Sequence, residues 1–261
     1  MRNYSKTVGA LAAASTLVAG YASAELEGEV HVGYANMYEF RFVDLGNDLV
    51  ESGVDLAYSM GDLGFSAGAW YATWDTTNAN QAISTALGGP PINNDELDLY
   101  GGISYAVGDV TLELGYIYYY FPDLSADTQE VYLSASYDLP FGISLGSTFY
   151  YDFDANDGWY WDTNLGYTVE FNDCLSLELG AGVGIADGQN LQISSRPGSV
   201  GTADGYQGFY VTAALPWEFR EGVTLTPYVK YTNGDKGLVT DLYSSAGQDY
   251  IVGGVSLAVG F

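Results

Sequence analysis

Apolar and polar residues alternate with a period of two along most of the chain after residue 24. In Val50–Tyr58 one face reads Val50, Val54, Leu56 and Tyr58, with Ser52 among them; the other reads Glu51, Gly53, Asp55 and Ala57. Val110–Tyr120 sets Val110, Leu112, Leu114, Tyr116, Tyr118 and Tyr120 against Glu113 and Gly115. Leu175–Ile185 alternates Leu175, Leu177, Leu179, Ala181, Val183 and Ile185 with Ser176, Glu178 and glycines. This is the period of a β-strand with two unlike faces. The segments run about ten residues, enough to cross a bilayer's hydrocarbon layer when tilted. Strands of a soluble sandwich, the competing reading, average about five or six.

Twelve such segments are predicted, at 28–41, 48–60, 63–75, 95–107, 110–121, 129–139, 142–154, 158–171, 174–187, 205–218, 222–232 and 249–261. Short connectors fall at Met60–Leu63, Val107–Val110, Leu139–Gly142, Phe171–Cys174 and Phe219–Gly222. Longer ones fall at Arg41–Asp48, Thr76–Asn94, Pro122–Thr128, Asp187–Asp204 and Thr232–Gln248, and Ala155–Gly158 is a short exception on that side. Short turns on one side and long loops on the other are the outer-membrane pattern. An even strand count puts both termini on the short-turn, periplasmic side. Lipid cannot satisfy an open strand edge, so the strands must close into a ring. The expected fold is all-β: a closed antiparallel transmembrane β-barrel with short periplasmic turns and longer extracellular loops.

The two ends of the chain sharpen this. Arg2 and Lys6 precede the apolar run Val8–Ala22, and Ala22-Ser23-Ala24 is a small-x-small cleavage motif. Residues 1–24 therefore read as a cleaved secretory signal peptide, with 25–261 as the barrel. At the other end Ile251, Val255, Leu257, Val259 and Phe261 alternate with small residues, and the chain stops on Phe261. A final amphipathic strand ending in an aromatic residue resembles the insertion signal read by the barrel-assembly machinery. The expected surroundings are outer-membrane lipid in a Gram-negative cell.

Composition fits the same picture. The 24 tyrosines and 34 glycines suit aromatic girdles and small inward positions. Removing Arg2 and Lys6 from the 7 basic residues leaves 5 against 33 acidic ones, a net charge of −28 for the mature chain. That charge disfavours nucleic acid as a partner and favours cations. Cys174 is the single cysteine, so neither a disulfide within the chain nor a thiolate metal site is expected.

Strand parity points Glu51, Asp55, Asp98, Glu113, Glu130, Asp152, Asp162 and Glu178 inward, against two cations, Arg41 and Lys230. Carboxylates in a dry core are very costly, so they imply a wet lumen. An acidic aqueous lumen favours cations, as rings of Asp or Glu do in cation pores. A twelve-strand barrel is wide enough for a narrow pore, which inward tyrosines such as Tyr100, Tyr132, Tyr150, Tyr160, Tyr210 and Tyr228 would narrow or close. The expected function is passive diffusion of small neutral or cationic solutes. The alternative is a structural or surface-interaction barrel whose lumen is blocked, with Arg41 paired to carboxylates.

Enzymatic and metal chemistry find less support. His31 is the only histidine and faces inward near the periplasmic end, away from the outer rim where a surface hydrolase works. It reads as an ordinary satisfied or solvated histidine. Asp152-Phe153-Asp154-Ala155-Asn156-Asp157-Gly158 starts like a calcium loop, but its glycine comes one residue late and Thr163 stands where glutamate is needed. It reads as a tight hairpin turn. No cofactor, catalytic residue or metal site is expected.

From Tyr38 to Gly142 the chain resembles the TorF-type porins, the Gcw_chp family of proteobacterial proteins. The residues that carry the likeness include Tyr38-Glu39-Phe40-Arg41, Ser52-Gly53-Val54-Asp55-Leu56-Ala57-Tyr58, Glu96-Leu97-Asp98-Leu99-Tyr100-Gly101-Gly102 and Leu114-Gly115-Tyr116-Ile117-Tyr118-Tyr119-Tyr120-Phe121-Pro122. The resemblance implies a small outer-membrane barrel with no established substrate and no catalytic residues. One departure concerns the backbone bend at the top of the first strand: the family usually has glycine after the arginine, and here Phe42 follows Arg41.

Overall fold

The computed structural model describes residues 26–75, 93–122, 126–189, 191–193, 200–202, 204–234 and 248–261. The expected signal peptide and most of the long-loop residues lie outside this set. The strands in chain order are β1 (Leu26–Phe40), β2 (Val43–Met60), β3 (Leu63–Asp75), β4 (Asn93–Val107), β5 (Val110–Phe121), β6 (Ala126–Leu139), β7 (Ile143–Asp152), β8 (Gly158–Asn172) and β9 (Leu175–Asp187). There follow β10 (Leu191–Ile193), β11 (Val200–Thr202), β12 (Gly205–Ala214), β13 (Trp217–Arg220), β14 (Val223–Gly234) and β15 (Gln248–Gly260).

Each strand from β1 to β8 pairs antiparallel with the next; β9 pairs with β12, β12 with β14, β14 with β15, and β15 with β1. The ring is therefore closed, with twelve barrel strands. Strand β13 continues the line of β12 past Leu215 and Pro216, pairing with both β14 and β9. Pro216 brings no N–H, but its carbonyl accepts from Ser176 at 3.2 Å, and Glu218 N–H donates to Cys174 O at 2.8 Å. The closing seam joins the chain's first and last strands. At its foot Gly28 N–H donates to Phe261 O at 2.9 Å, and Phe261 N–H donates to Gly28 O at 2.8 Å.

The two faces separate as the alternation predicts. Val32, Ile103, Leu114 and Leu133 point outward and are 54–62% exposed. Apolar side chains so exposed around a whole ring require lipid, and an antiparallel closed barrel is the outer-membrane solution to that requirement. The protein is an outer-membrane β-barrel.

The inner face explains why Tyr and Gly are both abundant. Tyr100 stands opposite Gly68, Tyr132 opposite Gly115, Tyr210 opposite Gly182 and Tyr228 opposite Gly254 in the strand ladders. In each pair the phenol ring lies over the glycine, where any side chain would collide with it. An aromatic ring covering a cross-strand glycine shields the bare backbone and fixes the ring's tilt.

Two features depart from the sequence reading. Arg41–Asp48 is not a loop: β1 and β2 continue as a paired ribbon to a two-residue turn at Arg41 and Phe42. The 187–204 connector contains a small hairpin, β10 with β11.

Candidate functional site

The β1–β2 ribbon leaves the barrel wall and folds inside. The β1–β15 ladder ends at Ala35 opposite Gly254. There Asn36 turns its amide sideways: Nδ2 donates to Ile251 O at 3.2 Å, and Oδ1 accepts from Gly253 N–H at 2.7 Å. One side chain thus takes over backbone bonds that a continuing strand would have made. On the other edge the β2–β3 register shifts between Asn47 and Val50, with Asp48 at φ 54°. Such bulges bend a strand and raise its twist. The ribbon reverses at Arg41 (φ 49°) and Phe42 (φ 71°). Positive φ at both central residues is the pattern of a type I′ hairpin turn, which usually takes Asn-Gly. The left-handed conformation costs a non-glycine residue about 1–2 kcal/mol. The bend is therefore made without the family's usual glycine, and contacts beyond the turn offset the strain.

Those contacts reach most of the barrel's circumference. Tyr38 packs on Trp70 and Trp74 of β3, and its hydroxyl donates to Glu96 of β4 at 2.8 Å. Glu39 pairs with Lys230 of β14 and accepts from Thr232; its other oxygen accepts from Phe42 N–H at 2.7 Å. Phe40 meets the edge of Tyr119 on β5. Arg41 forms a fork with Glu130 of β6, both nitrogen–oxygen distances being 2.7 Å. The rings of Phe40, Tyr150 (β7) and Tyr160 (β8) each lie 4.7 Å from its guanidinium carbon. Phe42 is 1% exposed. Its ring occupies the space left by Gly184 of β9 and Gly208 of β12 and packs beside Tyr210.

A bidentate Arg–carboxylate pair inside a protein is directional and, once half removed, leaves an expensive lone charge. The stacked rings add cation–π attraction. The sequence places Arg41 at the top of the first strand's wall; in the structure it sits at the tip of an inward hairpin and engages the wall across the barrel.

The other residues selected from the sequence face inward as parity predicts, mostly with neutral donors beside them. Glu51 accepts from Trp70 Nε1 at 2.8 Å, Asp55 from Tyr100 at 2.5 Å and Glu113 from Tyr132 at 2.5 Å. Asp162 accepts from Asn164 at 2.8 Å and Tyr210 at 3.2 Å. Asp98 is buried beside Glu96 on β4. Glu178 is buried near the short-turn end of β9, and Lys230 lies over Tyr210 as well as against Glu39. Asp152 is fully buried and organises the hairpin turn at 153–157. It accepts from Asp154 N–H at 3.0 Å, Thr128 at 2.8 Å and Asn156 Nδ2 at 2.8 Å. His31 faces inward with Nδ1 3.4 Å from Asp55. Phe261 is 71% exposed at the foot of the seam.

Tyr38, Glu39, Glu96 and Tyr119 stand in the motifs that carry the family resemblance, and Phe42 marks the departure from it, but the sequence reading selected none of them as a site residue. Parity offered Glu96 and Tyr119, which share the inward register of Asp98 and Glu113. Parity gives no sign that Phe42 is buried, since that depends on the ribbon leaving the wall; the one sequence signal at this position is the departure from the family's glycine.

Closed ring, apolar exterior and polar, tyrosine-lined interior together define a porin-like outer-membrane barrel. The chain belongs to the Gcw_chp family, described as "Bacterial protein of unknown function", whose profile matches residues 20–214. No curated protein matches the sequence. Among solved structures, the COG4313 outer membrane channel from Pseudomonas putida F1 is similar, with a TM-score of 0.58 at 12% identity over 93% of this chain and 97% of that one. The NanC porin aligns with a TM-score of 0.51 at 12% identity, over 89% and 98% of the two chains. A KdgM porin in complex with disordered oligogalacturonate gives 0.50 at 10% identity, over 90% and 99%. At these identities the likeness is one of fold.

Proposed function

We propose that this barrel is a passive channel for small neutral or cationic solutes, with the β1–β2 hairpin setting its narrowest cross-section. The observation that carries this is the imbalance of charge inside. Arg41 and Lys230, the two inward cations selected from the sequence, are each matched by a carboxylate, Glu130 and Glu39. Glu51 and Glu113 accept from the uncharged donors Trp70 and Tyr132. Such donors stabilise a carboxylate without cancelling its charge, so an aqueous path past them favours cations. An acidic oligosaccharide, such as the oligogalacturonate bound by the KdgM porin, is the opposite of what this interior suits. The solute-lining roles of Asp55 and Asp162 and the assembly role of Phe261 belong to the same proposal; Asp98 and Glu178, expected from the sequence to line the lumen, are buried and act on the field of the interior without touching solute.

One observation favours a second reading, a structural or surface-interaction barrel closed at rest. The hairpin spans the interior and is held at both walls, by Glu39–Lys230 and Arg41–Glu130. Planar-bilayer recording separates the two. Refolded wild-type protein should conduct in small steps with a reversal potential on the cation side; anion selectivity overturns the first reading. A silent wild type, beside a conducting variant in which residues 37–47 are replaced by a short glycine linker, establishes the second.

A further inference from the structure

On the lumen wall, Glu29, His31 and Asp55 each present one ligand atom, and these atoms lie within 4.8 Å of one another. Two adjacent strands build the arrangement. Glu29 and Asp55 face each other directly in the β1–β2 ladder, and His31, two residues beyond Glu29 on the same face, stands opposite Gly53. A side chain at position 53 would collide with the imidazole, so the glycine is what lets the ring lie down over β2 toward Asp55. His31 Nδ1 is 3.4 Å from Asp55 Oδ2, while the other Asp55 oxygen is held by Tyr100 at 2.5 Å. Tyr100 belongs to a different strand and orients the carboxylate from outside the triad, as supporting partners orient metal ligands elsewhere. The side chains of His31 and Asp55 are 18% and 6% exposed, sheltered yet still in reach of the lumen.

We propose that Glu29, His31 and Asp55 form a binding site for a divalent first-row transition-metal ion of the zinc class. One imidazole and two carboxylates are borderline ligands that suit such ions. Calcium prefers six to eight oxygens. Three protein ligands leave a coordination position open to lumen water, the arrangement of accessible zinc sites. Glu51, packed against Gly33 on the neighbouring register, adds negative charge that draws a dication in. The site lies on the wall of β1 and β2, on the periplasmic side of the point where the ribbon turns inward, and does not depend on whether the hairpin opens.

The test uses tag-free, refolded full-length mature barrel in detergent, stripped with chelator and titrated with Co2+. One saturable equivalent should appear as a visible d–d band that Zn2+ displaces and excess Ca2+ does not. His31→Gln, Asp55→Asn and Glu29→Gln should each weaken that binding about tenfold or more while keeping the heat-modifiable gel mobility of a folded barrel. Co2+ binding unchanged by His31→Gln would place the metal on the acidic loops and overturn the proposal. A second measurement needs no variant. The chain has one histidine, so a single set of imidazole NMR resonances must move when Zn2+ is added to the wild type; unmoved resonances overturn the site.

Discussion

Arg41 and Glu130 are separated by 89 residues of chain and meet nitrogen to oxygen at 2.7 Å twice over. No strand ladder brings them together. They meet because β1 leaves its neighbour at Ala35, runs inward as a ribbon and turns at its tip.

This pair should behave as a unit. Arg41→Ala or Glu130→Gln alone strands a buried charge and should lower stability by about 3–5 kcal/mol. The double variant should recover much of that loss. Urea unfolding of the refolded barrel, followed by tryptophan fluorescence, measures the cycle; additive losses would mean that the two side chains do not interact.

Phe42 provides a test of where the hairpin lies. Truncating a buried phenylalanine costs about 3–5 kcal/mol, and alanine at φ 71° keeps the backbone strain. Glycine removes the strain, worth about 1–2 kcal/mol. Phe42→Gly should therefore be more stable than Phe42→Ala although its side chain is smaller. Phe42→Ala as stable as the wild type would place the Phe42 ring in solvent.

Charge selectivity should follow the carboxylates held by uncharged donors. Glu51→Gln with Glu113→Gln should move the reversal potential in a salt gradient toward the unselective value without enlarging single-channel conductance. An unchanged reversal potential would remove these two residues from the ion path.

The outer face makes a depth-dependent prediction. Leu133 is 57% exposed toward lipid, so Leu133→Arg should cost about 2–4 kcal/mol, the penalty for a cation near the midplane of a barrel's lipid face. Ser136→Arg, on the inward register of the same strand, offers the contrast and should cost less. Unfolding from lipid vesicles compares them.

Phe261 should matter more to assembly than to the finished barrel. Its backbone bonds to Gly28 at the seam are independent of its side chain. Phe261→Ala should reduce the folded barrel recovered from outer membranes, yet refold in detergent to the wild-type thermal midpoint. Equal yields in cells would show that the ring is not read during insertion.

The strands were legible because period-two alternation is a local signal and the bilayer demands a certain length. Boundaries for β3 and β5 agree with the reading to the residue. Inward carboxylates followed from parity alone. The hairpin did not. Gly46, Asn47 and Asp48 are turn formers, and they made Arg41–Asp48 resemble an ordinary loop. In the structure they relax the bulge at which β2 leaves β3, where Gly46 and Asp48 carry positive φ. Partners such as Glu130, Lys230 and Gly184 lie on distant strands, and nothing local in the sequence links them to residues 37–47. The Glu29–His31–Asp55 triad was half legible: parity places the first two on one face, but Asp55 joins them only through the β1–β2 register.

The two ion pairs on the hairpin also have a mechanical meaning. A ring of hydrogen-bonded strands is a soft hoop that can flatten into an ellipse without breaking a backbone bond. Glu39 holds the β14 side and Arg41 the β6 side, so the ribbon acts as a spoke between two sectors of the rim. Cutting either end would free the hoop to change its outline, and the cross-section of this barrel is therefore set from within as well as by its number of strands.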